Sequence, residues 1–341
     1  TNVGLFCLVR AADENSAYKR LRESLKKYKL FNKKIDYLLM TRVKVVIGDV
    51  SSPQFGLSEE QYYFLGEEID SVIHSAAEVN LIKSYQDLRS TNVVGTKEVL
   101  QFSLSSADQN PKAVHFISTN GIFPTSQNST ALSSDSPEDQ DISDFWKMLE
   151  DGYGQSKWVA ERMCASLMEK GLPISILRCG NMGPSSESFA WNLSDFIFLA
   201  LVACLSMESV PDASSKWKID MTPVDFAARA IVHCTIADPS KSIGDVLHVQ
   251  NPKTAIEFEK VLHWIKSAND KTFEKVSTCK FKQRLELRIQ GSDLIAKAHA
   301  GFDSIDHFLG SCVNFGGKKL QGCLAGTGIH CPSIDGEFVG K

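Results

Sequence analysis

Tyr153 and Lys157 lie four positions apart in the stretch GYGQSK, residues 152–157. At this spacing two side chains share one face of a helix, so an ammonium group would lie near a phenol. A neighbouring cation stabilises the phenolate, which predicts a lowered tyrosine pKa. Such a tyrosine can exchange a proton with a substrate oxygen. The spacing alone is common, and two unrelated residues at the start of a helix are the alternative.

Thr119 ends the apolar run AVHFIST, residues 113–119, and the next helical pattern begins at Tyr153. In a doubly wound α/β fold both side chains would face the same crevice. The Thr119 hydroxyl could then donate a hydrogen bond to the oxygen that Tyr153 protonates. Hydride transfer to a carbonyl needs this arrangement because negative charge develops on that oxygen. The combination of Thr119, Tyr153 and Lys157 therefore favours a reductase.

The elements that must hold these residues are predicted as alternating strands and helices. Six short runs rich in Val and Ile are largely apolar, as in parallel strands covered on both faces. They span residues 3–9, 43–50, 71–77, 113–119, 174–180 and 245–251. Helical patterns lie near 16–29, 58–68, 84–106, 153–170, 223–237 and 255–268. This alternation predicts an α/β fold with a Rossmann-type doubly wound parallel sheet.

Ligands bind at the carboxyl ends of the strands in such a sheet. Arg10 follows the first run and could hold a 2′-phosphate, or it could be a solvated strand-end arginine. Asp49 lies at the end of the second run, after Val43–Gly48, and could bind an adenine amine or cap the turn at Ser51–Ser52. His74 is expected to be a core residue. Small residues that would let a flat cofactor approach the backbone end the third and fifth runs: Ser75, Ala76, Ala77 and Gly180.

Composition is that of a soluble globular protein, with 341 residues, 43% hydrophobic content and a net charge of −4. This charge gives no reason to expect nucleic acid or an anionic membrane as partner. The longest apolar run, FIFLALVACL at 196–205, is shorter than the roughly 20 residues of a membrane span. It predicts a buried helix that lines a core or an apolar pocket.

Nine scattered cysteines indicate reduced thiols and a cytoplasmic location. Cys312, Cys323, His330 and Cys331 cluster near the C-terminus, but their spacing matches no common zinc pattern. We therefore expect no metal. The polar tract TSQNSTALSSDSPEDQD within residues 120–150 is read as a loop.

Nine segments in order resemble the extended short-chain dehydrogenases/reductases, and among them the thioester reductase domains. Those domains terminate non-ribosomal peptide synthetases, aminoadipate reductases and carboxylic acid reductases, and fatty acyl-CoA reductases are related. The segments are LFCLVRA (5–11), VVIGDVSSPQFGLS (45–58), VIHSAAEVN (72–80), STNVVGTKEVL (90–100), FISTNGIF (116–123), GYGQSKWVAE (152–161), ILRCGNMGP (176–184), DMTPVDFAARAIV (220–232) and LAGTGIHCPSID (324–335).

The resemblance implies a role for each matching position. Thr119, Tyr153 and Lys157 match the catalytic triad, and Arg10 matches the arginine that holds the 2′-phosphate of NADPH. The family often has proline at Cys179, so the loop geometry is expected to differ there. The other implied cofactor contacts are Asp49, Val50, Ser75, Ala76, Ala77, Asn92, Tyr153, Lys157, Cys179, Gly180 and Asn181.

The implied reaction is the NADPH-dependent reductive release of an acyl thioester as an aldehyde, which some relatives reduce further to the alcohol. The implied partner is a phosphopantetheinylated carrier domain, expected in the same natural polypeptide. Three alternatives stay open: a fatty acyl-CoA reductase, a nucleotide-sugar epimerase or dehydratase, and a non-catalytic module. The segment at 324–335 argues against the nucleotide-sugar enzymes.

The family begins with a strand and a Thr-Gly-x-x-Gly-x-x-Gly loop that binds the cofactor pyrophosphate, and this sequence contains no such loop. We expect a chain truncated at its N-terminus, with a decayed copy as the alternative, a sheet without its central strand, and weak NADPH binding. Residues 1–180, completed by 220–252, are predicted to form the NADP-binding domain. Residues 181–219 and 270–341 are predicted to form the substrate lobe.

Overall fold

The computed structural model describes residues 3–105, 110–124, 136–253, 255–269, 272–310 and 315–339. Its strands are β1 Leu5–Val9, β2 Val43–Ile47, β3 Ser71–His74, β4 Ala113–Thr119, β5 Ile174–Cys179, β6 Met182–Gly183, β7 Ser209–Pro211, β8 Lys218–Ile219, β9 Thr222–Pro223, β10 Val246–Val249, β11 Ile256–Glu257 and β12 Glu274–Val276. Cys312 and residues 125–135 of the polar tract lie outside the described residues.

Its helices follow the strands in the alternating order that the sequence predicted. They are α1 Glu14–Lys27, α2 Lys33–Arg42, α3 Glu59–Glu68, α4 Tyr85–Arg89, α5 Gly95–Phe102, α6 Gly152–Met168, α7 Phe196–Met207, α8 Val224–Val232, α9 Phe258–Asn269, α10 Thr278–Glu286, α11 Asp293–Ala300, α12 Phe302–Gly310, α13 Lys318–Leu324 and α14 Gly336–Val339.

The main sheet has four parallel strands in the order β10–β5–β4–β3. β1 and β2 form a separate parallel pair, in register from Leu5 with Val43 to Val9 with Ile47. Among the described residues no ladder joins this pair to β3. The division leaves Leu5 and Ile73 exposed.

Helices cover the main sheet on both faces, which explains why its strands are largely apolar. On one face α3, α5 and α6 pack over a cluster that includes Phe55, Phe102 and Phe116. On the other face α8 and α13 pack over Leu177 and Leu247. The arrangement confirms the predicted Rossmann-type fold.

A third core cluster forms a helical lobe beside the sheet. Helix α7 carries the predicted apolar run, and its residues Ile197, Leu201 and Cys204 are buried in this cluster. Trp217 and Phe258 lie at its centre with ring centroids 5.1 Å apart. The apolar run therefore packs in the core of the lobe. The sequence predicted a buried helix that lines either a core or an apolar pocket.

The lobe and the sheet divide the chain differently from the predicted boundaries. Helix α9 belongs to the lobe because Phe258 and Val261 pack in its core. Helix α13 lies within the predicted lobe, but its Leu320 and Leu324 pack against β10 and α8 of the sheet. The C-terminal segment thus returns from the lobe to the sheet.

Two helical predictions needed correction. The predicted helix 84–106 is interrupted at residues 90–94 by a π-helical turn between α4 and α5. Helix α2 was not predicted; it starts where the Asn32 side chain accepts a hydrogen bond from the Ile35 amide. Within the described part of the chain, no helix combines the length and the apolar character needed to cross a bilayer.

Candidate active site

Thr119 and Tyr153 are brought together by the end of β4 and the start of α6. Thr119 is the last residue of β4, and its Oγ1 accepts a hydrogen bond of 3.0 Å from the Gly121 amide. Asp151 caps α6 by accepting a hydrogen bond of 2.7 Å from the Gly154 amide. The Thr119 hydroxyl lies near enough to the Tyr153 phenol to favour the charged form of the phenol. The structure therefore places two hydroxyl groups together at the carboxyl end of the sheet.

Gly152 makes this placement of Tyr153 possible. A Cβ atom at position 152 would lie 2.4 Å from the amide nitrogen of Tyr85 and 2.5 Å from the carbonyl oxygen of Lys83. Only glycine allows the first turn of α6 to approach the start of α4 this closely. The close packing of α6 against α4 therefore explains why position 152 is a glycine.

The pKa of Tyr153 is raised above its ordinary value, chiefly because burial disfavours the phenolate. The neighbouring Cys179 and Asp151 also act to raise it, and the Thr119 hydroxyl only partly opposes the shift. The predicted lowering of this pKa by Lys157 is therefore wrong. At neutral pH Tyr153 carries a proton that it can donate.

Lys157 lies on α6 with only 3% of its surface exposed. Its Nζ donates a hydrogen bond of 2.8 Å to the Ile117 carbonyl and lies 4.0 Å from the centre of the Phe116 ring. Burial lowers its pKa to about 8, while Cys164, Glu161 and Cys179 favour the charged form. The ammonium group is thus tied to the end of β4.

The predicted phosphate side of the site lies at the ends of β1 and β2. The Arg10 side chain is 63% exposed, and its Nη1 lies 3.8 Å from Oδ2 of Asp49. Asp49 Oδ1 accepts hydrogen bonds from the amide and hydroxyl of Ser51, so the predicted turn-capping role of Asp49 is confirmed. Val50 packs against Gly95 of α5. Arg10 keeps an accessible guanidinium at this edge.

The residues that follow β3 differ in their access to the crevice. Ser75 and Ala76 are exposed and Ala77 is partly buried. His74 is buried, is hydrogen-bonded to Thr96 at 3.0 Å, and has a pKa lowered to about 3 by desolvation. The prediction that His74 is a core residue is therefore confirmed.

Asn92 is buried in the π-helical turn and bridges two segments of the site. Its side chain accepts a hydrogen bond from the Glu78 amide and donates to the Glu78 carbonyl and to Oγ of Ser156. Ser156 in turn donates to the Tyr153 carbonyl. Both amide hydrogens are thus used inside the protein, and Asn92 supports the start of α6. A direct cofactor contact by Asn92 remains a prediction.

The last three predicted cofactor contacts, at Cys179, Gly180 and Asn181, lie at the end of β5 and in the loop after it. Gly180 donates a hydrogen bond to the Val249 carbonyl, and the Asn181 carbonyl accepts one from the Thr222 amide at 2.8 Å. Burial raises the pKa of the Cys179 thiol to about 12. This loop is therefore fixed to β10 and β9, and Cys179 is a neutral thiol near Tyr153 and Lys157.

Asp220 is a residue of this region that sequence reasoning did not single out. It is 8% exposed, and its Oδ2 has no hydrogen-bond partner among the described residues. A Cβ at Gly180 would lie 3.5 Å from this oxygen. Desolvation raises the Asp220 pKa to about 7. The segment DMTPVDF contains the residue, but only the fold shows that its carboxyl group is buried.

The residues present suit a dinucleotide phosphate and a flat ring. An exposed guanidinium at Arg10, exposed small residues at Ser75 and Ala76, and paired hydroxyls at Thr119 and Tyr153 line successive strand ends. Within the described residues no group of His, Cys, Asp and Glu side chains is arranged to hold a metal ion.

Comparison with known proteins identifies the family. The model of the NAD-binding family described as Male sterility protein matches residues 1–231. The chain belongs to this family. Within it, the chain is a thioester reductase domain of the extended short-chain dehydrogenase/reductase type, as the sequence resemblance predicted. A nicotinamide cofactor follows from this membership.

Individual relatives of this reductase domain cover most or all of it. One linear gramicidin synthase protein, from Brevibacillus parabrevis, is 30% identical over 344 residues, covering 100% of this chain and 6% of that protein. The L-2-aminoadipate reductase large subunit of Candida glabrata is 32% identical over 273 residues, covering 78% of this chain and 19% of that protein. The chain thus spans a small part of the length of these relatives.

A solved structure is similar over the whole reductase domain. The terminal R domain from the myxalamid PKS-NRPS biosynthetic pathway superposes with a TM-score of 0.85 at 29% identity. The match covers 100% of this chain and 82% of that chain. The likeness includes both the sheet and the helical lobe.

Proposed function

We propose that the chain reduces an acyl thioester with NADPH and releases an aldehyde. The observation that carries the proposal is the placement of Thr119 at the end of β4 beside Tyr153 at the start of α6, with Lys157 one helical turn further along α6. Membership in the reductase family supports it. A cytoplasmic setting is part of the same proposal, because the eight cysteines among the described residues are free thiols.

In the proposed reaction the chain's own residues stabilise the developing negative charge and donate the proton. The cofactor, when bound, supplies the hydride. The hydroxyls of Thr119 and Tyr153 stabilise the negative charge on the thioester oxygen. Tyr153 donates the proton, since its raised pKa keeps it protonated at neutral pH. The resulting hemithioacetal collapses to an aldehyde and a free thiol.

NADPH rather than NADH is proposed because of Arg10. Its guanidinium is accessible and could bind the 2′-phosphate through two parallel hydrogen bonds. Asp49 is the acidic group nearby, but its Oδ1 is already used by Ser51. The remaining predicted contacts at Val50, Ser75, Ala76, Ala77, Asn92, Cys179, Gly180 and Asn181 belong to the same proposal.

The proposed substrate is an acyl group carried on the phosphopantetheine arm of a carrier domain. This partner is proposed because one relative is named as part of a gramicidin synthase and the solved relative is a terminal domain from a PKS-NRPS pathway. Continued reduction of the aldehyde to the alcohol is left as an outcome of the assay.

The test is turnover of matched acyl donors. The chain is mixed with NADPH and the same acyl group on a carrier domain, on free pantetheine or on coenzyme A, and aldehyde is trapped and quantified. Aldehyde from the carrier-bound donor at the highest kcat/KM supports the proposal. A preference for the coenzyme A thioester would favour an acyl-CoA reductase. Absence of NADPH oxidation with all three donors by a folded chain would overturn it.

A further inference from the structure

A buried ion pair lies next to the predicted catalytic residues. Arg178 on β5 and Glu161 on α6 are 3% and 1% exposed. Both Nε and Nη2 of Arg178 donate to Oε1 of Glu161, at 2.9 and 2.8 Å. Two hydrogen bonds from one guanidinium fix the relative orientation of the two side chains.

The pair is tied to a third element through Ser118. The Ser118 hydroxyl on β4 donates a hydrogen bond to Oε2 of Glu161. Strand register pairs Ser118 with Arg178 and Thr119 with Cys179. One network therefore joins β4, β5 and α6 immediately beside Thr119.

Each member of the network is close in sequence to a residue of the site. Ser118 precedes Thr119, Arg178 precedes Cys179, and Glu161 follows Lys157 by one helical turn. A shift of any member would therefore move a residue of the site on the same element. Displacement by about 1 Å is enough to reduce turnover strongly.

The guanidinium of Arg178 also contacts groups other than Glu161. Its Nη1 donates to the Glu138 carbonyl at 3.3 Å and lies 3.2 Å from Nε2 of His248. The ring of Phe123 lies 5.1 Å from its Cζ. Each of the three guanidinium nitrogens thus has a hydrogen-bond partner, as a fixed arrangement requires.

Stability alone does not explain such a pair. Removing two charges from water is costly, and replacement of a buried ion pair by apolar residues is often neutral or stabilising. A role in orientation and in the local field accounts for charged residues at these two positions.

We propose that Ser118, Glu161 and Arg178 form a positioning network that holds Thr119 and Lys157 in register and sets the electrostatic field at Lys157. The inference rests on the proposed function for its kinetic part only, because the field at Lys157 can be measured without turnover.

The charged and titratable groups that act on Lys157 come from three elements. They are Glu161 and Cys164 on α6, Cys179 on β5 and His74 on β3. Loss of the negative charge at Glu161 would leave Arg178 unpaired and make the charged form of Lys157 less stable. Loss of Arg178 would leave Glu161 unpaired and have the opposite effect.

The experiment compares Glu161→Gln, Arg178→Met, the double variant and Ser118→Ala in the full chain. Lysine labelled with ¹³C at Cε gives the Lys157 pKa by NMR titration. We expect this pKa to fall by about one pH unit in Glu161→Gln and to rise by about one in Arg178→Met. The double variant is expected to return near the parent value. Exposed Glu187→Gln is the control and is expected to change nothing.

Kinetics supply the second measurement. We expect kcat with the thioester to fall roughly 10- to 100-fold in both single variants and in the double variant, with KM nearly unchanged. Ser118→Ala keeps the ion pair and is expected to lose a few-fold in kcat. If a single variant does not fold, the double variant still tests the proposal. If the double variant does not fold either, Ser118→Ala tests it.

The outcomes separate the two proposals. An unmoved Lys157 pKa in the folded variants, with kcat restored in the double variant or unchanged in Ser118→Ala, would overturn the positioning network. Opposite pKa shifts in a parent chain that turns over no thioester would support the network and overturn the proposed function instead.

Discussion

Tyr153 combines a buried phenol with a neighbouring hydroxyl at Thr119. Burial keeps the phenol protonated, so in this environment the residue is suited to donate a proton. Lys157 contributes at a distance, since its ammonium is bonded to the Ile117 carbonyl. At the residue scale, a protonated phenol beside a second hydroxyl fits the proposed donation of a proton to a substrate oxygen.

Tyr153→Phe removes this proton and leaves the ring. We expect kcat for thioester reduction to fall about 10²- to 10⁴-fold, because the oxyanion loses both a hydrogen bond and its acid. The melting temperature should stay close to that of the parent chain. Tyr63→Phe, at an exposed tyrosine on α3, is the matched control. A near-normal rate in Tyr153→Phe would refute the assignment.

Asp220→Asn tests the buried carboxyl group near Gly180. The pKa of Asp220 is about 7 in the folded chain, against an ordinary value of 3.8. Between these values the folded state binds more protons than the unfolded state, so this group makes the chain less stable as pH rises from 4 to 7. The decrease in stability is on the order of 4 kcal/mol and is complete above pH 7.

Asp220→Asn replaces the carboxyl group with an amide, which releases no proton in this pH range. We expect its free energy of unfolding, measured with urea at pH 4, 6 and 8, to fall less with rising pH than that of the parent chain. Asp139→Asn at an exposed position is the control. Parallel pH profiles for Asp220→Asn and the parent would contradict the buried carboxyl.

Helix α6 is the element on which the site depends most. Its first turn carries Tyr153, its second carries Lys157, and its third carries Glu161. Asp151 caps its start, and Asn92 supports it through Ser156. The position of this one helix therefore decides the geometry of the acid, the ammonium and the ion pair.

Gly152→Ala tests the close approach of α6 to α4. The added Cβ would lie within 2.5 Å of backbone atoms of Tyr85, Ser84 and Lys83, which cannot rotate away. We expect a loss of roughly 1–3 kcal/mol of stability and a fall in kcat as α6 shifts. Gly322→Ala in α13 has open space and is the control. Unchanged melting temperature and kcat in Gly152→Ala would contradict this packing.

Glu138 attaches helix α13 to the sheet. Its carboxylate accepts hydrogen bonds from the amides of His248 at 3.1 Å, Lys319 at 2.7 Å and Leu320 at 3.2 Å. Glu138→Ala leaves these buried donors unpaired, so we expect a loss of about 3 kcal/mol. Hydrogen exchange should show reduced protection at Lys319 and Leu320. Asp139→Ala at the exposed neighbour should have no such effect, and retained protection in Glu138→Ala would refute the attachment.

At the scale of the whole molecule, a divided sheet and a helical lobe surround the crevice. The pair β1–β2 carries Arg10 and Asp49, whereas the main sheet carries Thr119 and the loop after β5. A ligand that contacts both parts would stabilise them together. Cofactor binding should therefore be visible in the stability of the entire chain.

A thermal-shift titration with NADPH and NADH tests this expectation. Stabilisation grows with ligand concentration relative to the dissociation constant. We expect NADPH to raise the melting temperature at lower concentration than NADH, because Arg10 is proposed to bind the 2′-phosphate. Arg10→Gln should reduce the NADPH response and spare the NADH response, whereas Lys19→Gln should change neither. Equal responses to both cofactors would contradict the role of Arg10.

Local patterns in the sequence were sufficient to predict the six main strands, most helices, the place of Thr119 at the end of β4 and the place of Tyr153 and Lys157 on α6. A strand covered on both faces is recognisable as a short apolar run, and an amphipathic helix as apolar residues spaced three or four positions apart. The resemblance then predicted the family, which the comparisons confirmed. Helix α2 and the interruption at residues 90–94 carried too weak a local signal.

Tertiary structure alone decided which side chains meet and which are removed from water. The Tyr153 pKa is raised chiefly because the phenol is buried, and no local spacing reveals burial. Oδ2 of Asp220 is buried without a hydrogen-bond partner among the described residues. Ser118, Glu161 and Arg178 are joined because strand register and helix packing bring distant positions together. Desolvation and long-range contacts depend on the whole fold, whereas helix and strand periods depend on neighbouring residues.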